Sequence, residues 1–235
     1  MHDWERRAEE LAAQEIAAGR PTAWFDRVYE AGWRGDVSMP WDRTAPNAKL
    51  VEWARRRSGD GTGHTAVVVG CGLGQDSEFI AGLGYTTTAF DVAETPIRIV
   101  RGRFPDSAVR YVVADLLNPP AEWVHGFDLV VESFTVQALP VALRADATRA
   151  VARLVAPGGT LVVIAVVRED DEPLRADPPW PLTRDEIDGF AIDGLAELSV
   201  DRSDLWLAEF RSSPGAPAAR EGQERSDSPP PETVP

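Results

Sequence analysis

The chain has 235 residues, of which 43% are hydrophobic and 26% charged, proportions that exclude global disorder and fibrous architectures and suit one large domain with or without appendages. Its formal net charge is -14 and the acidic residues are spread along the whole sequence, so a nucleic-acid backbone or an anionic membrane would repel it. A single cysteine, Cys71, leaves no intramolecular disulfide and no multi-cysteine metal site, and the N-terminus is charged from its third residue, which predicts a cytoplasmic protein without a metal.

Residues 3–18 place Trp4, Ala8, Leu11, Ala12 and Ile16 on one helical face, and Gly19 and Pro21 stop the pattern, so a short amphipathic helix opens the chain. Trp24, Trp33, Trp41 and Trp53 follow, with a P-W-D turn at 40–42 and a second helix opened by Pro46 that runs to about Arg57 before the SGDGTG linker at 58–63. Residues 1–60 thus read as an aromatic-rich helical cap.

Residues 61–211 change to alternating strands and helices. Strands are predicted at 65–69, 86–90, 109–114, 127–132 and 160–167, and helices at 76–83, 94–104 and 141–155, the last closed by Pro157, Gly158 and Gly159. Continuous apolar strands of this kind are buried on both faces, which predicts an α/β fold with a parallel, doubly wound, Rossmann-like sheet. Thr183 and Glu186 have the spacing of a capping box for one more helix, and 195–210 reads as two final strands joined by a hairpin. Residues 212–235 hold six prolines and almost nothing apolar, which predicts a disordered tail.

The most informative segment is VVVGCGLGQDS at 67–77. A buried strand that runs into Gly70, Gly72 and Gly74 and then into a helix brings backbone close to a ligand, because each glycine removes a Cβ that would block approach. A dinucleotide fingerprint needs G-x-G-x-x-G, and its third glycine is Gln75 here, which disfavours an NAD-dependent oxidoreductase. Asp91 ends the next strand, where a carboxylate accepts from two ribose hydroxyls or caps the helix that follows. Asp115 ends the strand after that, with Leu116 behind it, and can accept from an adenine amino group while the leucine packs on the ring; aspartate is also common punctuation at strand ends.

Together these residues resemble the class I S-adenosylmethionine-dependent methyltransferases, over about residues 22–211. Within that superfamily the likeness is to the thiopurine, thiol and halide methyltransferase group, carried by AWFDRVYEAGW followed by PWD, GCGLGQDSEFIAGLGY, AFDVAETPI, FDLVVESFTVQALPVALR, APGGTL and DPPWPLTRDEI in that order. The resemblance implies a seven-stranded sheet ending in an antiparallel hairpin, and S-adenosylmethionine as cofactor. It further implies a cofactor site built from Gly70, Gly72, Gly74, Asp91, Val92, Asp115, Leu116, Glu132 and Ser133 under the tryptophan-bearing cap. Val68 stands where many superfamily members carry an acid, as in the thiopurine group; Ser133 stands where thiopurine enzymes carry an arginine, which weakens transfer of their substrate.

Methyl transfer from a sulfonium needs alignment and desolvation more than acid–base help, and no residue is singled out as catalytic. His2, His64 and His125 fall in a terminus and two loops, and Cys71 fills a small-residue position of the glycine loop. Trp41, Trp33 and Tyr29 are candidates to stack on a sulfonium or simply to hold the cap on the sheet. Tyr29, Trp33 and Phe134 are taken as the substrate pocket. Glu132 either meets the ligand at the carboxyl edge of its strand or is a solvated charge. The expected activity is methylation of a small molecule, with a thiol, selenol or halide-like acceptor favoured by the resemblance. Methylation of an oxygen or nitrogen on a specialised metabolite, and a non-catalytic cofactor-binding module, are the alternatives.

Overall fold

A computed structural model describes residues 3–39, 41–57, 60–174 and 178–215. Three helices come first, α1 (Asp3–Ala17), α2 (Trp24–Trp33) and α3 (Ala48–Arg56). The alternating part follows as β1 (Thr65–Val69), α4 (Gln75–Gly82), β2 (Thr86–Asp91), α5 (Glu94–Arg103), β3 (Arg110–Val113), β4 (Phe127–Ser133), α6 (Val141–Arg153), β5 (Val155–Val166), α7 (Arg184–Asp188), β6 (Leu195–Arg202) and β7 (Leu205–Ser212). The seven strands form one sheet in the order β3-β2-β1-β4-β5-β7-β6. The first five are parallel, and β7 runs antiparallel to both β5 and β6.

Alternation along each central strand divides the core into two layers. Val67, Val69, Val130, Leu161 and Val163 face α6 and α7 through Ala147, Val151 and Ile187. Ala66, Val68, Leu129, Val131 and Val162 face α3, α4 and α5 through Leu50, Trp53, Ile80, Ile97 and Val100. Burial on both faces is why the strands read as apolar runs in the sequence.

Three expectations move. Helix α3 packs on the sheet and Trp53 Nε1 donates to Glu209 of β7 at 3.1 Å, so the layer of helices that forms a cap ends before residue 48 rather than at 60. Strand β5 starts at Val155, not at 160, because Val155 pairs with Phe127 before a register break, and Gly158, at φ 74°, lets the chain turn inside the strand. Strand β7 reaches Ser212, the partner of Leu195, and Ser213 donates its backbone N–H to Gly194, so the folded part passes the expected limit at 211. The remainder of the expected tail, 216–235, lies outside the described residues, as do Pro40 of the P-W-D turn and His2.

Helices α1 and α2 form a third, small cluster of Ala8, Leu11, Ala12, Trp24 and Val28, with Phe25 and Trp41 packed against it. Asp26 docks this pair on the sheet domain: its Oδ1 accepts the backbone N–H of Thr95 at 2.7 Å, in the first turn of α5, whose own N-cap residue, Ala93, offers no side-chain bond. Glu15, buried, is held by Arg20 and Arg27. At α7 the Thr183–Glu186 capping box is present as the spacing predicted. No helix among the described residues is long and apolar enough to cross a membrane.

Candidate functional site

Sheet order reverses between β1 and β4, and the crevice outside the carboxyl ends of the strands at such a point is where open α/β sheets take ligands. A cavity of about 460 Å³ lies there. Its wall at the end of β1 is the glycine loop. Gly70, Gly72 and Gly74 have φ of 58°, 50° and 90°, the left-handed region where a Cβ is penalised. A Cβ on Gly70 would also lie 2.3 Å from Thr135 Oγ1, and one on Gly74 2.3 Å from Val100 Cγ2. The tight loop then feeds α4, with Gly74 as its N-cap.

Asp91 lies across from this loop and is buried. Oδ2 accepts the N–H of Gly72 at 3.1 Å and Oδ1 that of Ala93 at 3.0 Å. Burial raises its carboxyl to about 6, against the lowering effect of those N–H groups. Since the donor to α5's first turn is met by Asp26, Asp91 is the clamp of the glycine loop rather than a helix cap. Asp115 is exposed at the rim, its Oδ1 taking the N–H of Leu117 at 2.9 Å. Val92, Asp115, Leu116, Ser133 and Phe134 all line the cavity, as do the three glycines and Asp91. Phe134 does so at φ 63°, a left-handed conformation for an aromatic residue, and Ser133 Oγ accepts from Asn47 Nδ2 at 3.2 Å.

The cap supplies the cover. Tyr29 and Trp41 line the cavity and meet edge to face with centroids 6.0 Å apart. The Tyr29 hydroxyl stands 2.9 Å from where a Cβ on Gly72 would be, and burial together with the Asp91 charge holds its ionisation well above the usual range. Trp33, by contrast, is 56% exposed and lines no part of the cavity. It ends α2 outside the cavity wall, so its expected place in a substrate pocket is corrected.

Glu132 needs a second correction. It is 1% exposed and absent from the cavity wall. Its register places it between Val69 and Val163, on the face packed by α6. There Oε1 accepts the N–H groups of Thr135 at 2.7 Å and Val136 at 2.9 Å, while Oε2 has no partner among the described residues, and burial lifts the carboxyl to about 7. It is not a solvated charge and does not line the cavity; it fixes the turn that carries Ser133, Phe134 and Thr135.

Arg43 and Gln137 are among the polar lining residues that lay outside the sequence reading. Arg43 is the cationic side chain of the wall and donates to Asp76 at 3.2 Å, and Asp76 also accepts the N–H of Asn47 at 2.6 Å. Gln137, buried, lines the cavity beyond Thr135. Nothing in their spacing marks either, since the elements that unite them are distant in sequence. Cys71 is buried and its thiol is pushed well above its usual range by burial, so it packs rather than attacks. His64 and His125 precede β1 and β4, at the opposite edge of the sheet.

The comparisons agree with this geometry. Residues 67–163 match the family described as "Methyltransferase domain". The chain is 32% identical over 164 residues to a ubiquinone biosynthesis O-methyltransferase of Pseudomonas paraeruginosa, covering 68% of this chain and 63% of that protein. It is 25% identical over 170 residues to a 2-heptyl-1-hydroxyquinolin-4(1H)-one methyltransferase of Mycobacteroides abscessus, covering 68% and 72%. In fold it is similar to the Burkholderia thailandensis 1,6-didemethyltoxoflavin-N1-methyltransferase, solved with S-adenosylhomocysteine, at a TM-score of 0.66 and 14% identity over 85% of this chain and 90% of the other. The chain is a class I S-adenosylmethionine-dependent methyltransferase. The loop of this methyltransferase fits such a cofactor on its own terms, because the three positive-φ glycines bring a tight backbone turn to the cavity wall beside a buried carboxylate.

Proposed function

We propose that this methyltransferase modifies a small, largely apolar molecule at an atom that is nucleophilic without a protein base, a thiol, selenol or halide before others. One observation carries the reading: among the described residues the cavity wall holds no histidine, and each of its carboxylates already accepts from a donor of the protein. Asp76 is engaged by Arg43 and Asn47, Asp91 by Gly72 and Ala93, and Asp115 by Leu117. The Tyr29 hydroxyl stays protonated, and no histidine lines the wall among the described residues. A thiol is partly thiolate near neutral pH and needs no such help.

In this reading Asp91 takes the ribose hydroxyls, Asp115 and Leu116 hold the adenine, and Val92 packs beside it. Arg43 pairs with the cofactor carboxylate, and Trp41 presents its ring to the cationic centre, a contact worth about 0.5 to 2 kcal/mol. Bound there, the cofactor supplies an electrophilic methyl group on a sulfonium. The protein's own part is to align the acceptor and to exclude water with the apolar cover of Trp24, Phe25 and Val28.

A second reading is favoured by the quinolone-methylating relative, whose named substrate carries an N-hydroxyl group: an acidic hydroxyl or ring nitrogen that ionises unaided would meet the same requirement. Incubation with methyl-labelled cofactor and a panel of thiols, halides, acidic hydroxyls, simple phenols and amines tests both. Label is expected on thiols first and acidic hydroxyls second. Transfer to unactivated alcohols or alkylamines alone would overturn the base-free reading.

A further inference from the structure

We propose that Gln137 is a specificity-determining residue, its side-chain amide donating a hydrogen bond to an acceptor atom that the substrate carries next to the methylated atom. The proposal rests on the base-free reading above and narrows its substrate class.

The orientation of the amide follows from its neighbours. Gln137 Oε1 accepts the backbone N–H of Val166 at 2.7 Å. A peptide N–H can only donate, so the atom facing it is the oxygen and the NH2 group takes the opposite side. The backbone that carries it is held as well, because its own carbonyl accepts the N–H of Trp180 at 2.8 Å. The Trp180 carbonyl is in turn held by buried Arg144, itself paired with Glu186. What remains is a donor-only group on a residue that is 3% exposed and lines the cavity.

Position assigns that donor to the methyl acceptor. The glycine loop, Asp91 and Asp115 follow β1, β2 and β3, whereas Gln137 follows β4 and is tied to the end of β5. The same cavity wall carries Phe25, Leu139, Val166, Pro178 and Pro179, an apolar setting in which an unmet donor is costly. A ligand that lacks an acceptor there leaves the NH2 stranded, and one that presents an acceptor is selected, which is the asymmetry that gives a polar subsite its discrimination. The substrate class is therefore a soft or acidic nucleophile with a carbonyl oxygen, N-oxide-type oxygen or ring nitrogen beside it.

The test uses matched pairs, thiophenol against 2-mercaptopyridine and 4-nitrophenol, an acidic hydroxyl with no acceptor beside it, against 1-hydroxypyridin-2-one, on the wild-type chain and Gln137→Glu. The variant keeps an oxygen for the Val166 N–H and replaces the donor with a second acceptor. Wild type should prefer the acceptor-bearing member of a pair by at least about tenfold in kcat/KM. Assayed above pH 8, where the introduced carboxyl is ionised and cannot donate, Gln137→Glu should lose that preference mainly through KM, with S-adenosylhomocysteine affinity unchanged. Equal rates within the pairs, a preference that survives in Gln137→Glu, or no turnover of the acceptor-bearing members by a chain that binds S-adenosylhomocysteine would overturn the assignment. Absence of S-adenosylhomocysteine binding by wild type would instead overturn the reading beneath it.

Discussion

Asp91 Oδ2 accepts the backbone N–H of Gly72 at 3.1 Å, so the carboxylate that ends β2 and the glycine loop that ends β1 behave as one unit. Asp91 therefore has two duties, and a substitution should reveal both. Asp91→Ala is expected to weaken S-adenosylhomocysteine binding by roughly 1.5 to 3 kcal/mol, the scale for hydrogen bonds to a charged group, and to lower the melting temperature through the freed N–H groups of Gly72 and Ala93. Asp91→Asn, which retains one acceptor, should recover part of the stability and little of the affinity. Calorimetry and thermal melts on the two variants check this; undiminished affinity in Asp91→Ala would leave only the loop clamp.

The loop glycine Gly74 differs from Gly158, also at positive φ, by what surrounds it. A Cβ at Gly74 meets Val100 and Tyr111, whereas one at Gly158, φ 74°, meets nothing within 4 Å. Gly158→Ala should cost about 1 to 2 kcal/mol for its left-handed backbone alone. Gly74→Ala adds overpacking, for a total of about 2 to 5 kcal/mol. Denaturant melts of both variants provide the comparison, and equal losses would mean that α5 yields to the added methyl group.

How much of this was legible follows from what each signal depends on. The parallel sheet, the glycine loop, Asp91, Asp115 and the Thr183 capping box rest on local chemistry, a run of β-branched residues or a fixed spacing, and the structure has them where the sequence puts them. Trp33 and Glu132 misled because a strand end or an aromatic cluster says which edge a residue is near, not which face its side chain takes. Arg43 and Gln137 were invisible because their value comes from Asp76, 33 residues on, and from Val166, 29 residues on. Helix α3 was assigned to the cap by continuity with the tryptophans, yet Trp53 answers to Glu209 across 156 residues.

Glu132 makes stability depend on pH. Its carboxyl is raised from 4.5 to about 7 by burial, so the folded state holds the proton more tightly than the unfolded chain. The resulting stability is complete below about pH 4.5 and is lost as pH rises through about 7. The loss amounts to about 3 kcal/mol, and no cation lies among the causes acting on this group. Glu132→Gln keeps an oxygen for Thr135 and Val136 and cannot ionise. Relative to wild type it should gain stability progressively from pH 5 to 8, and its melts across that range should be flatter. Parallel profiles for the two proteins would place the titration elsewhere, Asp91 being the next group raised by burial.

The cap gives the last prediction. The two layers of sheet core draw on α1 and α2 only through the half-buried Phe25, so the sheet should fold without residues 1–40. The cavity should not survive their loss. Ala8, Trp24, Phe25, Val28 and Tyr29 form its outer wall, and Asp26 supplies the side-chain bond at the start of α5. Deleting residues 1–40 is expected to leave a folded chain that binds S-adenosylhomocysteine at least tenfold more weakly, about 1.4 kcal/mol, and has no measurable turnover. Smaller changes separate cover from scaffold. Asp26→Ala should cost about 0.5 to 2 kcal/mol, the range for losing a helix-terminal acceptor, and loosen the cover. Trp41→Ala should lower kcat/KM far more than the melting temperature, because its ring closes the cavity beside Tyr29. Trp33→Ala should alter neither, its ring being outside the cavity and 56% exposed. An unfolded deletion variant, or a Trp41→Ala protein with normal kinetics and a depressed melting temperature, would make the cap a structural part of the core and end the case for it as the cover over the reacting atoms.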